Sequence, residues 1–201
     1  MKAVVLQLML AAVCILAVGC GEETTNIDVM NDDGGAVMAL DYRDFDQAAS
    51  KMIQSLVASG SLKKPGGGRY VVAKGRIVND TMQRIDTDQL MSKVEQEILN
   101  SGMAVMTSAV GSGTDKLVSE SRELRDSEEF DQSTVAERGT LIAPDLSISG
   151  KIFQRNIRVS KNKQQVEYYF QLMLSDVKSG LRFWQNEEIV GKRGSSKSVA
   201  W

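Results

Sequence analysis

Tyr168-Tyr169-Phe170-Gln171-Leu172-Met173-Leu174-Ser175 decides the fold. Tyr168, Phe170, Leu172 and Leu174 alternate with Tyr169, Gln171, Met173 and Ser175, the period of a strand with one buried face. The same period extends in both directions. Upstream, Leu146, Ile148, Gly150 and Ile152 alternate with Ser147, Ser149 and Lys151. Downstream, Asp176 to Gly180 has hairpin length, and Leu181, Phe183 and Gln185 then alternate with Arg182, Trp184 and Asn186. This phasing puts Phe183 with Phe170 on one face and Trp184 with Tyr169 on the other. The Gly/Ser/Lys-rich stretch from Lys192 reads as fraying, with 195–201 as a tail.

Further upstream the period changes to that of helices. Ala36 to Leu40 is a short apolar run suited to an edge strand. Asp44 with Gln47 has capping-box spacing, Phe45, Ala49, Met52, Ile53, Leu56 and Val57 share one face, and Gly60 closes a helix. Lys63 to Gly68 is a loop, and Arg69 to Val78 a strand rich in β-branched residues. Asp86 with Gln89 opens a second helix with Leu90, Val94 and Ile98 inside. Met103 to Val110 is the next strand. A third helix, capped by Thr114, is expected to run towards Phe130 and to bury Leu117, Val118, Ser121 and Leu124. A helical turn is expected over Ser133 to Arg138. Helices alternating with strands, followed by antiparallel strands, predict an α/β fold: a mixed sheet of four to five strands flanked by three or four helices.

Neither glycine cluster fits a nucleotide site. Gly66-Gly67-Gly68 opens a strand and lacks the Gly-Lys-Ser/Thr that starts a phosphate-binding helix. Gly111-Ser112-Gly113 is followed by Lys116 where a dinucleotide fingerprint needs its third glycine. Histidine is absent and there are two cysteines, so the usual general bases, nucleophiles and zinc sites are missing. No cofactor or metal is expected. A net charge of −2 offers no basic excess for nucleic acid.

The amino terminus carries Lys2, an apolar run from Ala3 to Val18, and Leu16-Ala17-Val18-Gly19-Cys20. That layout is a secretory signal. The last residues resemble the lipobox of bacterial lipoproteins, which implies cleavage before Cys20 and lipid attachment there. An ordinary cleaved signal with Cys20 as a passenger, and a transmembrane anchor, are the competing readings. The run is short for a spanning helix, and acidic residues follow it. Gly21 after the cysteine implies the outer membrane by the sorting habit of lipoproteins. Cys14 leaves with the signal, so the mature chain has no disulfide. The expected organisation is a signal peptide over 1–19, a flexible tether over 20–37 and a globular domain over 38–194. About 17 residues from Cys20 reach at most roughly 55–60 Å.

Several long blocks carry a family likeness. They are Lys64-Pro65-Gly66-Gly67-Gly68-Arg69-Tyr70-Val71, Arg76 through Leu90, Phe130 through Val135, Leu141 through Ser147, and Gln164 through Leu172. Over roughly Asp44 to Gly194 the chain resembles the LpoB family, outer-membrane lipoproteins that activate a class A penicillin-binding protein. The resemblance implies a fold similar to the amino-terminal domain of TolB. It also implies a non-catalytic, monomeric, periplasm-facing protein that docks on a small domain of the synthase and favours its active conformation. The tether departs from the family, being short and free of proline. Met, Arg and Trp are enriched at interface cores, which makes Arg69, Met82, Arg84 and Trp184 docking candidates. The plain alternative is that Met82 and Trp184 are core and the two arginines solvated. Two other functions compete: a structural subunit of a curli-pore-like or other envelope assembly, and a carboxylate-dependent glycan hydrolase, for which no paired acids stand out.

Overall fold

In chain order the elements are α1 (Tyr42–Ser59), β1 (Tyr70–Asp80), α2 (Thr87–Asn100), β2 (Ala104–Thr107), α3 (Lys116–Glu123), a 3-10 turn (Leu124–Asp126), β3 (Leu146–Ser160), β4 (Lys163–Asp176) and β5 (Arg182–Ser195). This computed structural model describes residues 26–29, 31, 37–195 and 197. The signal segment, Cys20, most of the tether and most of the 195–201 tail lie outside the described residues. The chain divides after Asp33 into two units, and the second, from Gly34 onward, holds every element above. In the first unit Asn31 Nδ2 donates to Asp28 Oδ2 at 2.7 Å.

The sheet is mixed, five-stranded, and ordered β2-β1-β3-β4-β5. β1 pairs in parallel with β2 and with β3, while β3–β4 and β4–β5 are antiparallel. Parallel neighbours need a crossover, and α2 supplies the one between β1 and β2. α1 and α2 cover one face, where Leu146, Ile148, Ile152, Tyr168, Phe170, Leu172 and Leu174 are buried against Met52, Ile53, Leu56, Leu90 and Ile98. Phe45 of α1 meets Phe170 edge-on at 5.8 Å. The alternation around Phe170 thus sets the core plane. Gly150 belongs to the same face, and a Cβ there would land on the Gln171 carbonyl oxygen, so β3 and β4 can lie this close only with glycine.

Several expectations are corrected. α1 begins earlier than predicted. Its N-cap is Asp41, and Asp44 is the N3 residue: Asp44 N–H donates to Asp41 Oδ1 at 3.1 Å, and Asp41 N–H to Asp44 Oδ2 at 2.8 Å. Aspartate fills both roles of a capping box here, one turn ahead of the Asp-x-x-Gln spacing. Val37 to Leu40 is not a strand. Met38 and Leu40 pack on the core, and their backbone groups are satisfied by side chains, as described below.

The third helix is far shorter than its expected run. It is capped by Asp115, not Thr114, ends at Glu123, and buries nothing; Leu117 is 66% exposed. It follows a strand of only four residues, which offers it little apolar surface to cover. Ser133 to Arg138 forms turns without helix, led by an Asx turn in which Ser133 N–H donates to Asp131 Oδ1 at 3.0 Å.

The faces of β5 are also reversed from the expected phasing. Ser175 is opposite Arg182, but Leu174 is opposite Trp184, so Phe183 is an extra residue in the ladder. That bulge shifts the register by one and exchanges the faces. Trp184 joins Phe170 in the core at 9% exposure, and Phe183 turns out. Lys192 to Ser195 do not fray; they pair with Lys163 to Val166.

Candidate docking site

β1 separates the predicted docking residues. Arg69 lies exposed before its first residue, while Met82 and Arg84 lie exposed just after its last. Eleven strand residues put the two ends roughly 35 Å apart. A standard interface of about 800 Å² per partner is roughly as wide as that distance, so both ends would have to sit at its rims. Arg69 and Met82 thus stand at opposite ends of β1, and Trp184 is a core residue.

The Arg69 end has its own order. Lys64 Nζ meets Asp145 Oδ2 at 2.8 Å, and the same oxygen accepts from Val71 N–H at 2.9 Å. The Lys64 ammonium and the Val71 amide hold the Asp145 carboxyl below its usual range. The triple glycine turns at φ of 83°, 91° and 83° with open space around each α-carbon, a conformation open to glycine at little cost. Nothing there converges on a phosphate.

The Met82 end is more constrained. Asn79 Oδ1 accepts from Thr81 N–H at 3.1 Å and from Thr81 Oγ1 at 2.8 Å, and Asn79 Nδ2 donates to Gln83 O at 2.8 Å. Gln83 turns inward, the one buried polar residue among the described residues, at 7% exposure. Its Nε2 donates to the Tyr168 hydroxyl at 2.9 Å, and its Oε1 accepts from Leu40 N–H at 3.2 Å. Tyr168 in turn donates to Met38 O at 3.1 Å. Burial, followed by the nearby Asp44 charge, pushes the Tyr168 phenol up to about 12. A buried amide bonded through both its nitrogen and its oxygen fixes the loop, because each broken bond would leave an unpaired group inside.

With Gln83 fixed inside, Met82 is driven out to 68% exposure. Its N–H still donates to Gln154 Oε1 at 3.2 Å. Asn156 Nδ2 approaches its sulfur at 3.5 Å. An exposed methionine on an ordered backbone is an adaptable apolar contact.

The sheet face away from α1 and α2 carries a second surface. Phe153 and Tyr169, paired across β3 and β4, stack at 4.6 Å with planes 4° apart. Lys151 lies 5.7 Å over Phe153 and pairs with Asp80 at 2.5 Å; Arg155 lies 5.8 Å over Tyr169. The Tyr169 hydroxyl and the Gln165 amide both donate to Glu167, which holds its carboxyl below the usual range. Ile189, half exposed, extends the row on β5 opposite Tyr169. The surface is an aromatic ridge bordered by paired charges; Met82 contacts Gln154 and Asn156, which alternate along β3 with the ridge residues Phe153 and Arg155. It offers contact area and no reacting group. Among the described residues no cluster of three His, Cys, Asp or Glu could hold a metal, and no helix is long and apolar enough to cross a membrane.

Sequence reasoning reached Met82 and Arg84 but missed Phe153, Lys151, Arg155 and Ile189. The signal for Phe153 was present, since it is out of phase with the buried Ile152. Its pairing with Tyr169 depends on a cross-strand register that alternation alone does not supply.

The profile of the peptidoglycan-synthase activator LpoB family matches residues 44–190. The LpoB C-terminal domain from Escherichia coli is 12% identical and aligns at a TM-score of 0.43, over 73% of this chain and 98% of that one. The NMR structure of E. coli LpoB is 14% identical at 0.40, over 88% and 86%. Lipoprotein GNA1162 from Neisseria meningitidis is 10% identical at 0.33, over 65% and 86%. No curated protein sequence matches. With 147 of its 201 residues inside the family profile, the chain belongs to the LpoB family of peptidoglycan-synthase activators.

Proposed function

We propose that this protein is a lipid-anchored, periplasm-facing lipoprotein of the outer membrane that binds a class A penicillin-binding protein as a monomer and raises its glycan polymerisation and cross-linking. It acts as a ligand; as a member of a family of activators it is not an enzyme. The observation that carries the reading is the Met82 loop. Gln83, tied inward through its side-chain nitrogen and oxygen, holds the apolar Met82 side chain outward on an ordered backbone, the arrangement of a contact residue. Activation follows if the loop and ridge fit the active conformation of the synthase better than the resting one.

In a reconstituted assay with a purified class A synthase, Met82→Ala or Arg84→Ala should each weaken binding by roughly 5- to 30-fold, about 1–2 kcal/mol. Cross-linking should fall in parallel. Arg69→Ala, at the far end of β1, should leave both unchanged. Full activation by a correctly folded Met82→Ala, Arg84→Ala double variant would remove the loop from the interface. A curli-pore-like subunit is the weaker reading, because the apolar faces of β3, β4 and β5 are buried under helices, whereas a spanning hairpin needs them against lipid.

Cys20 is the anchor. The mature protein extracted from membranes should carry the mass of a diacylglyceryl thioether and an amide-linked acyl chain on residue 20. Cys20→Ser should move it to the soluble periplasmic fraction, since loss of every chain removes the binding that several chains supply.

A further inference from the structure

The far end of β3 and β4 has a composition unlike the rest of the molecule. From Gln154 to Val166 there are four cations, Arg155, Arg158, Lys161 and Lys163, and no acid. The strand beside it adds Lys192 and Arg193, again without an acid, up to Ser195. The whole chain has 26 acidic and 24 basic residues, so the charge is strongly polarised towards this end. Lys192 is occupied by Asp41 and Asp44. Arg193 forks onto Gln165 Oε1 and is exposed.

Two aliphatic side chains sit among these cations. Ile157 is 41% exposed and Val159 45% exposed, and every residue from Arg155 to Lys163 is on the surface. Ile157, Gln165 and Arg193 form one row across the three strands. The two-residue turn Lys161-Asn162 closes the tip.

The chain also joins the domain here. Met38 accepts from Tyr168, and its sulfur lies against Gly194, which is in register with Gln164. Met38, near the start of the domain's described residues, therefore lies beside this basic end. About 18 residues between Cys20 and Met38 reach at most roughly 60–65 Å when fully extended.

We propose that the β3–β4 tip is a second membrane contact, resting on an anionic phospholipid bilayer with Ile157 and Val159 at the headgroup level and Arg158, Lys161 and Lys163 on lipid phosphates. The short tether, and with it the orientation towards the anchored leaflet, rests on the Cys20 reading above. The tip's chemistry does not. A protein partner is disfavoured by size, because a narrow turn cannot supply the 20–30 residues of an ordinary interface. Aliphatic residues ringed by cations match an interfacial lipid contact.

The test uses the chain from Cys20 with Cys20→Ser, which carries no lipid; among the described residues the core runs from Met38 to Val190. It should co-sediment with phosphatidylethanolamine–phosphatidylglycerol vesicles at low salt, release as salt rises, and ignore phosphatidylcholine vesicles. Each cation near an anionic surface contributes about a fivefold factor in partitioning, so Arg158→Gln with Lys161→Gln and Lys163→Gln should lower binding roughly a hundredfold. Ile157→Ser with Val159→Ser should lower it by a smaller factor. All five positions are exposed, and an unchanged melting curve confirms folding. Equal binding by the triple variant, equal binding to phosphatidylcholine, or binding only to purified peptidoglycan or an acidic protein overturns the proposal. The same triple variant assayed with the synthase in detergent separates the two readings. Full stimulation with lost vesicle binding supports the membrane contact, whereas a wild-type chain that binds vesicles but never stimulates sinks only the activator reading.

Discussion

Gln83→Leu is expected to destabilise the domain by roughly 3 kcal/mol and to abolish synthase activation near the lowered melting temperature. Leucine matches the volume of glutamine but offers no polar atom. Leu40 N–H loses its acceptor and the Tyr168 hydroxyl loses its donor, both at partly or fully buried sites. Leaving a buried group unpaired costs about 1–3 kcal/mol, more than the net worth of the bond when both partners are present. The urea midpoint should fall without a change in slope, since the surface exposed on unfolding is nearly the same. Tyr168→Phe should cost less, about 1–2 kcal/mol, because it strands the Gln83 amide and Met38 O but keeps the packed ring. The two changes share one bond, so the double variant should be more stable than the sum of the singles implies. Strict additivity would mean that Gln83 and Tyr168 do not hold the loop together. The loop's own bonds through Asn79 and Thr81 survive both changes, so the Asn79–Gln83 turn should persist while its inward tie to Tyr168 is lost.

The loop was legible in the sequence as an oddity and not as a device. Met82, Arg84 and Ile85 in a polar turn stood out as unusual payload, and both Met82 and Arg84 proved exposed. What could not be read was Gln83, since an inward glutamine is visible only once Tyr168 and the chain at Met38–Leu40 converge from 85 and 43 residues away. The sheet itself was largely legible because β3 and β4 alternate strictly for most of their buried length. The phasing failed at β5, where one extra residue, Phe183, changed the face of all that follow it. It failed again at α3, where helical spacing of Leu117, Val118, Ser121 and Leu124 suggested a buried face. A periodic pattern shows that residues share a side; it does not show that anything lies opposite. The same limit applies to Phe153, whose stacking on Tyr169 is set by strand pairing.

The end of β5 holds a second buried arrangement, and Lys192→Met should cost about 2–3 kcal/mol at neutral pH. The Lys192 side chain is only 10% exposed, with Nζ at 2.7 Å from Asp44 Oδ2 and 3.7 Å from Asp41 Oδ2. Methionine keeps the packed stem and removes the charge. Two carboxylates then face each other at the start of α1 with Arg43, at 3.3 Å from Asp41, as their remaining close cation. Breaking a buried ion pair from one side costs about 3–5 kcal/mol, and the partial exposure of the aspartates lowers that figure. The loss should depend on pH in one direction. Burial raises the pKa of Asp41, but the Asp44 amide, Lys192 and Arg43 together outweigh it and hold the carboxyl below its usual range. A carboxyl lowered on folding stabilises the fold above its unfolded pKa, near 3.8, and that contribution disappears as pH falls through the folded value. Wild type should therefore lose stability below about pH 4, while Lys192→Met loses less, having less to lose. Melting curves of the two proteins should converge on acidification. A gap that stays constant from neutral to strongly acidic pH would assign the cost to the lysine stem, and the carboxylate pair would then have no part in clamping β5 to the start of α1, next to the segment that closes over Gln83.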